Sequence, residues 1–196
     1  KMRVKKENLV LMHQTHSKKV VLIKKNNFGR RINSDAVITK VRGLALGVVT
    51  ADCVPVLVYD YKNKIVGCIH AGWKGAKSGI IENTILKIKK MNSKSLLYAS
   101  IGPCIAKKSY EVDNNFYLKF IKKSKKMKKY FSKKNKKKMV FDLRKYIADK
   151  LLGLNVKIDH VSYDTFAEKN NFFSYRRSFV LNQNDYGRCI SVISLI

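Results

Sequence analysis

Residues 50–75 read TADCVPVLVYDYKNKIVGCIHAGWKG. Two apolar runs, 54–60 and 64–70, flank the polar turn YKNK. Both are short and rich in β-branched residues, so together they read as an antiparallel hairpin. Closing the turn with Tyr59 opposite Lys64 places Leu57 against Val66, Pro55 against Cys68 and Cys53 against His70. Directly opposed Cβ atoms lie about 4.5–5.5 Å apart. A thiolate and an imidazole on such neighbours can reach one metal ion, at about 2.3 Å for sulfur and about 2.0–2.1 Å for nitrogen in a zinc site. Val54, Val56, Val58, Ile65 and Ile69 fall on one face, and Leu57, Val66 and Cys68 on the Cys53 face. Both faces are apolar, so the hairpin is expected to be covered on both sides, as in a layered sandwich.

Further strands are expected at 8–13, 19–23, 35–39, 44–49 and 96–101, and near the C-terminus at 156–163 and 188–195. Residues 76–91 change period. Ala76, Ile80, Ile81, Thr84, Ile85, Ile88 and Met91 share one helical face. Tyr117, Phe120, Ile121, Ser124, Met127 and Phe131 keep a helical stripe among lysines, which predicts an amphipathic helix over 114–131 and a basic loop over 132–138. Asp142 can cap a helix over 143–152 that stops at Gly153. NNFFSYRRSF, residues 170–179, is too aromatic and basic for a plain linker. Strands and helices are grouped rather than strictly alternating, which argues for an α+β fold in one domain spanning residues 1–196.

The 196 residues carry 45% hydrophobic residues, enough for a core, and a formal charge of +29. Such a charge invites a nucleic-acid reading. However, only 8 of the 42 basic residues are arginine, and specific base and phosphate contacts favour arginine forks. Weak nonspecific binding is expected, specific binding is not, and the lysine run over 119–138 reads as a solvated surface. No apolar run is long enough to span a membrane and no secretory signal is evident, so a cytoplasmic protein is expected. Cys53, Cys68, Cys104 and Cys189 fit neither a disulfide framework nor a CxxC zinc ribbon.

Alone, Cys53 and His70 read first as a small buried hydrophobe and a hydrogen-bonded core histidine. A third donor would change that. His13 and His16, in HQTHS, follow a strand, and spacing does not choose between them. At these residues the chain resembles the YfiH/YlmD-like family, formerly described as polyphenol oxidases or laccase-domain proteins. Its members are described as purine nucleoside phosphorylases with adenosine deaminase and methylthioadenosine phosphorylase activities, and a peptidoglycan-editing role is attributed to some. The matching blocks are LMHQTHSKKV (11–20), SDAVIT (34–39), TADCVPVLVYD (50–60), IHAGWKG (69–75), IGPCI (101–105), SYEV (109–112), FFSYRR (172–177) and YGRC (186–189). The resemblance implies a zinc site of His16, Cys53 and His70 and a four-layer α/β/β/α sandwich. Two departures stand out. The segment that usually precedes the QxH block is expected to be truncated, and Asp164-Thr165 stands where the resemblance leads one to expect Cys-Thr.

Under that reading the substrates are a nucleoside (adenosine, inosine or methylthioadenosine) and phosphate, with Arg176, Arg177 and Arg188 as anion-site candidates because guanidinium forks match phosphate. At least one of the three is expected to be structural. Asp52 is a candidate acid or base, or a residue that holds a ligand in place. Trp73 is a candidate to stack on a base or simply to pack. The alternatives are a hydrolase acting on misincorporated cell-wall precursors, and a basic nucleic-acid- or partner-binding protein with a structural zinc. Copper is the poorer cofactor, because four histidines cannot build a multi-copper set.

Overall fold

The structure is a computed structural model that describes residues 5–24, 32–92, 94–122 and 124–195. The strands in chain order are β1 (Leu9–His13), β2 (Val20–Ile23), β3 (Ile32–Asn33), β4 (Ala36–Thr39), β5 (Ala45–Thr50), β6 (Val54–Asp60), β7 (Ile65–Ala71), β8 (Leu97–Ile101), β9 (Glu111–Asp113), β10 (Phe131–Lys133), β11 (Lys138–Phe141), β12 (Lys157–His160) and β13 (Cys189–Ser194). The helices are α1 (Trp73–Ser78), α2 (Ile80–Met91), α3 (Asn114–Ile121), α4 (Leu143–Leu152) and α5 (Tyr175–Val180). A six-stranded sheet runs β12-β8-β6-β7-β4-β2, a four-stranded sheet β13-β5-β1-β3, and a small antiparallel sheet β10-β11-β9. The two larger sheets mix parallel and antiparallel pairs.

The period-2 pattern of the central strands divides their side chains between two cores. Val54, Val56, Val58, Ile65 and Ile69 pack with Ile80, Ile81, Ile85 and Ile88 of α2 and with Ile147 and Leu151 of α4. Val37, Val66 and Cys68 face the other way, against Met12, Leu46 and Val48 of the four-stranded sheet. The hairpin is therefore covered on both sides, as its two apolar faces require. Helices, six-stranded sheet and four-stranded sheet form three layers. No helix is packed across the outer face of the four-stranded sheet among the described residues, where Leu11 and Ile190 are 45% and 50% exposed. The second helical layer implied by the family resemblance is thus not seen there.

The hairpin register differs from the expected one. Asp60 pairs with Ile65, Tyr59 with Val66 and Pro55 with His70. The turn explains the shift. Asp60 Oδ1 accepts from the backbone N–H groups of Lys62 (3.1 Å) and Asn63 (3.2 Å), and Lys64 adopts φ 49° inside the turn. An aspartate that caps its own turn holds the strands paired up to its position. The slip is two residues, so every side chain keeps its expected face. Cys53 now precedes β6 and stands diagonal to His70 rather than directly opposite it.

Two helices also depart from expectation. The helix expected over 76–91 starts at Trp73 and breaks at Gly79, whose φ of 105° closes α1 and reopens as α2. The helix expected over 114–131 stops at Ile121, a 3-10 turn covers Lys125–Tyr130, and the expected loop contains β10 and the start of β11. Phe131 lies opposite Phe141, and their rings stack with centroids 4.7 Å apart. Burying that pair outweighs the charge repulsion of the flanking lysines. α4 spans Leu143–Leu152, and Asp142 caps it by accepting from Lys145 N at 2.9 Å.

Phe141 is fully buried among Phe116, Phe120, Phe131 and Tyr146. Phe141→Ala is expected to cost about 3–5 kcal/mol, read as a lower denaturant midpoint at unchanged slope. A cost below about 1 kcal/mol would show that this cluster does not anchor the lysine-rich segment.

Candidate metal centre and cleft

Three connections meet where the two large sheets end together. The loop after β1 brings His16, the bend before β6 brings Cys53, and the end of β7 brings His70. One donor atom from each lies within 4.8 Å of the others. Cys53 Sγ is 3.7 Å from His16 Nε2, and the two imidazoles meet edge-on with centroids 4.7 Å apart. It is the one group of three or more such donors among the described residues. His13 stands on the cleft wall outside the group, and His160 lies at the end of β12 beside a separate cavity.

Asp35 organises this corner, and sequence reasoning assigned it no role. It is fully buried just ahead of β4. Its Oδ1 lies 2.8 Å from His70 Nδ1 and accepts from His16 N at 2.9 Å. Its Oδ2 accepts from Ser17 N (2.6 Å), Ser17 Oγ (2.7 Å) and Thr15 N (3.2 Å). Burial opposes ionisation of Asp35, but the hydrogen bonds from His70 and Ser17 outweigh it and hold the carboxyl well below its usual range. Gln14 clamps the same loop to β5 by donating to Val49 O (2.8 Å) and accepting from Val49 N (3.0 Å). These bonds hold His16 at φ 58°, a conformation that costs a non-glycine residue on the order of 1–3 kcal/mol.

Gly72 is required by close approach. A Cβ there would come within 2.7 Å of His16 Cδ2 and 2.8 Å of Cys53 Sγ. Burial, with the Asp52 charge adding to it, pushes the Cys53 thiol up to about 12. At neutral pH, without a metal, it is therefore a thiol, and a metal that binds it displaces that proton. Burial and the neighbouring His70 push His16 below its ordinary value, which keeps its imidazole neutral and able to ligate.

The cluster opens into a cleft of about 1010 Å³ whose walls include Trp73, Lys74, Tyr110, Tyr186, Arg176 and Arg188. Arg188 is exposed, with its guanidinium 4.5 Å from the centre of the Tyr186 ring. Arg176 lies 5.5 Å from the Tyr110 ring, and its Nη1 donates to Glu111 O at 2.9 Å. Arg177 is not on the cleft. Its guanidinium donates to the carbonyls of Thr165 and Phe166, each at 2.9 Å, and also to that of Phe172. It ties the 165–172 segment together and is thus the structural arginine of the three. Trp73 lines the cleft edge-on to Phe116 at 4.8 Å, the geometry of a packing residue.

Asp52 accepts from Thr165 Oγ1 (2.8 Å) on one oxygen and from Arg176 N (2.7 Å) on the other, at a backbone φ of 83°. With both oxygens engaged, the geometry favours holding the bend that carries Cys53 over transferring a proton. Asp164 accepts from Ser109 Oγ (2.7 Å) and Ala106 N (3.2 Å), which ties its segment to the 106–109 turn.

The family model described as multi-copper polyphenol oxidoreductase laccase matches residues 1–196. The chain belongs to that family. Among relatives of this laccase-domain chain, a protein of Rickettsia conorii named purine nucleoside phosphorylase is 36% identical over 181 residues, covering 91% of this chain and 75% of its own length. A purine nucleoside phosphorylase of Haemophilus influenzae is 33% identical over 187 residues, covering 94% of this chain and 73% of its own. The crystal structure of the hypothetical protein YfiH of Bacillus licheniformis superposes with a TM-score of 0.87 at 25% identity, covering all of this chain and 77% of that one. No helix among the described residues is long and apolar enough to cross a membrane.

The two arginines separate by measurement. Arg177→Ala leaves three carbonyls without their donor and is expected to destabilise the protein by about 1–3 kcal/mol. Arg188→Ala is expected to stay within about 0.5 kcal/mol of wild type. Thermal or denaturant unfolding reads both, and equal effects would contradict the division of roles.

Proposed function

We propose that the protein is a zinc-dependent purine nucleoside phosphorylase acting on adenosine and related nucleosides such as inosine and methylthioadenosine. The observation that carries this reading is the convergence of His16, Cys53 and His70 at the floor of a cleft that also carries Arg176 and Arg188. Relatives named purine nucleoside phosphorylase support the reaction class.

The donors present suit zinc. Two imidazoles and one thiolate make a three-ligand set of the kind that leaves a fourth position for chemistry, and Gly72 leaves the space beside them clear. The family description names several coppers, but this chain has four histidines, of which two join the cluster. That supply does not build a multi-copper set. Zinc held there would supply Lewis-acid polarisation of an oxygen it binds.

The protein's own groups supply the rest. Arg188, with Lys74 across the cleft, is placed to take an anion such as phosphate, because both reach the cavity with cationic donors. Arg176 is held by its bond to Glu111 and presents its remaining donors from a fixed position. Tyr175 and Tyr186 meet edge-on at the rim with centroids 5.2 Å apart, an aromatic surface suited to a purine face. Burial pushes the Tyr110 phenol well above its ordinary value, so it stays protonated and serves only as a donor or neutral acceptor in the cleft. In the lysine-rich segment Lys134 and Lys138 pair with Glu111, and Lys129 with Asp149.

Adenosine incubated with the protein, with and without phosphate, is expected to give adenine and ribose 1-phosphate only when phosphate is present. Cys53→Ala is expected to abolish turnover while leaving the circular dichroism unchanged. Inosine without adenine would replace phosphorolysis by deamination. Absence of any product from zinc-loaded, folded protein would overturn the nucleoside reading.

A further inference from the structure

The HQTHS loop and the end of β7 approach each other from different sheets, yet one carboxylate serves both. Asp35 Oδ1 is 2.8 Å from His70 Nδ1 and 2.9 Å from His16 N. The Asp35 carbonyl also accepts from His70 N at 2.7 Å, so main chain and side chain hold the same histidine. Asp35 opens β4, an interior strand paired to β2 on one side and β7 on the other. It therefore sits at the start of a strand paired on both sides, while His16 sits on a loop. Nothing in the core needs a charge at this position. A buried carboxylate without donors is costly, and this one is tolerated because donors from Thr15, His16, Ser17 and His70 meet it.

We propose that Asp35 is a positioning residue that presets both histidine donors, so that a metal ion enters a site already shaped to receive it. This rests on the metal-site reading above. Two consequences follow from the bonding. An Nδ1–H of His70 faces the carboxylate, which leaves Nε2 as the ring nitrogen available to a metal. His16 is held in its left-handed backbone conformation by donation of its N–H to the same oxygen, which turns its Nε2 to Cys53. Because one oxygen serves both histidines, disturbing it displaces two of the three donors together, whereas the Cys53 bend is braced independently by Asp52, Thr165 and Arg176.

The test uses metal-free full-length protein and Co²⁺ as the probe. Affinity is read by competition with a chelator, and geometry by the visible bands of the bound cobalt together with the near-ultraviolet thiolate band. Asp35→Asn keeps the volume but removes the carboxylate charge and replaces one of its two acceptor oxygens with an amide nitrogen that cannot accept from the donors around it. In a variant with wild-type circular dichroism, it is expected to weaken Co²⁺ binding about 10–100-fold and to shift the visible bands, with the thiolate band retained. Wild-type affinity and spectrum in Asp35→Asn would overturn the proposal. Absence of Co²⁺ binding by the wild-type protein would instead overturn the metal-site reading beneath it. A measurement on the wild type alone covers the case in which the variant does not fold. Nitrogen NMR of metal-free protein is expected to show His70 Nδ1 carrying a hydrogen, as its contact with Asp35 requires, and an unprotonated Nδ1 would overturn the proposal.

Discussion

A carboxylate buried at zero exposure has to be surrounded by donors, and the site depends on how Asp35 meets that demand. The donors come from His70 and from three consecutive residues, Thr15, His16 and Ser17. Meeting the charge therefore folds a loop of the four-stranded sheet against the end of the six-stranded one. The same bonds cause the left-handed backbone at His16. The cost of desolvating the carboxylate and the strain at His16 are offset together, and the product is a pair of imidazoles held edge to edge over Cys53.

The two-core architecture explains why the site lies where it does. The face of β7 that buries Val66 and Cys68 between the sheets also carries His70 at the strand's end. There the inter-sheet layer runs out and polar groups can reach solvent. The cleft takes its second wall from α3, β9 and the segment around α5, so the metal-ligating floor and the arginine-bearing wall come from opposite ends of the chain. Asp52 joins them, with its carbonyl bound to Ile105 N and its carboxylate to Thr165 and Arg176.

Much of this was legible in the sequence. The alternation in 54–60 and 64–70 specified a hairpin with two apolar faces, and the faces were assigned correctly although the register was off by two. The error arose at Asp60, whose turn-capping bonds depend on side-chain geometry that hydrophobic pattern does not encode. β10 and β11 were hidden because lysines surround Phe131 and Phe141, and the stacking that pairs them is a tertiary contact. Spacing could not choose between His13 and His16. The family resemblance named His16, and the structure places His16 in the donor group. Asp35 stood in view within SDAVIT. An acid opening a strand that is otherwise apolar, in a doubly covered sheet, is the signal that would have found it. Arg177 carried no such signal, because its three carbonyl partners are set by the path of the chain.

The central claim is that His16, Cys53 and His70 together hold a metal. X-ray absorption at the zinc edge of the zinc-loaded protein tests it most directly. The account predicts one sulfur at about 2.3 Å and two imidazole nitrogens at about 2.0–2.1 Å, with a further light-atom ligand. A shell of oxygen and nitrogen without sulfur, unchanged in Cys53→Ala, would contradict it.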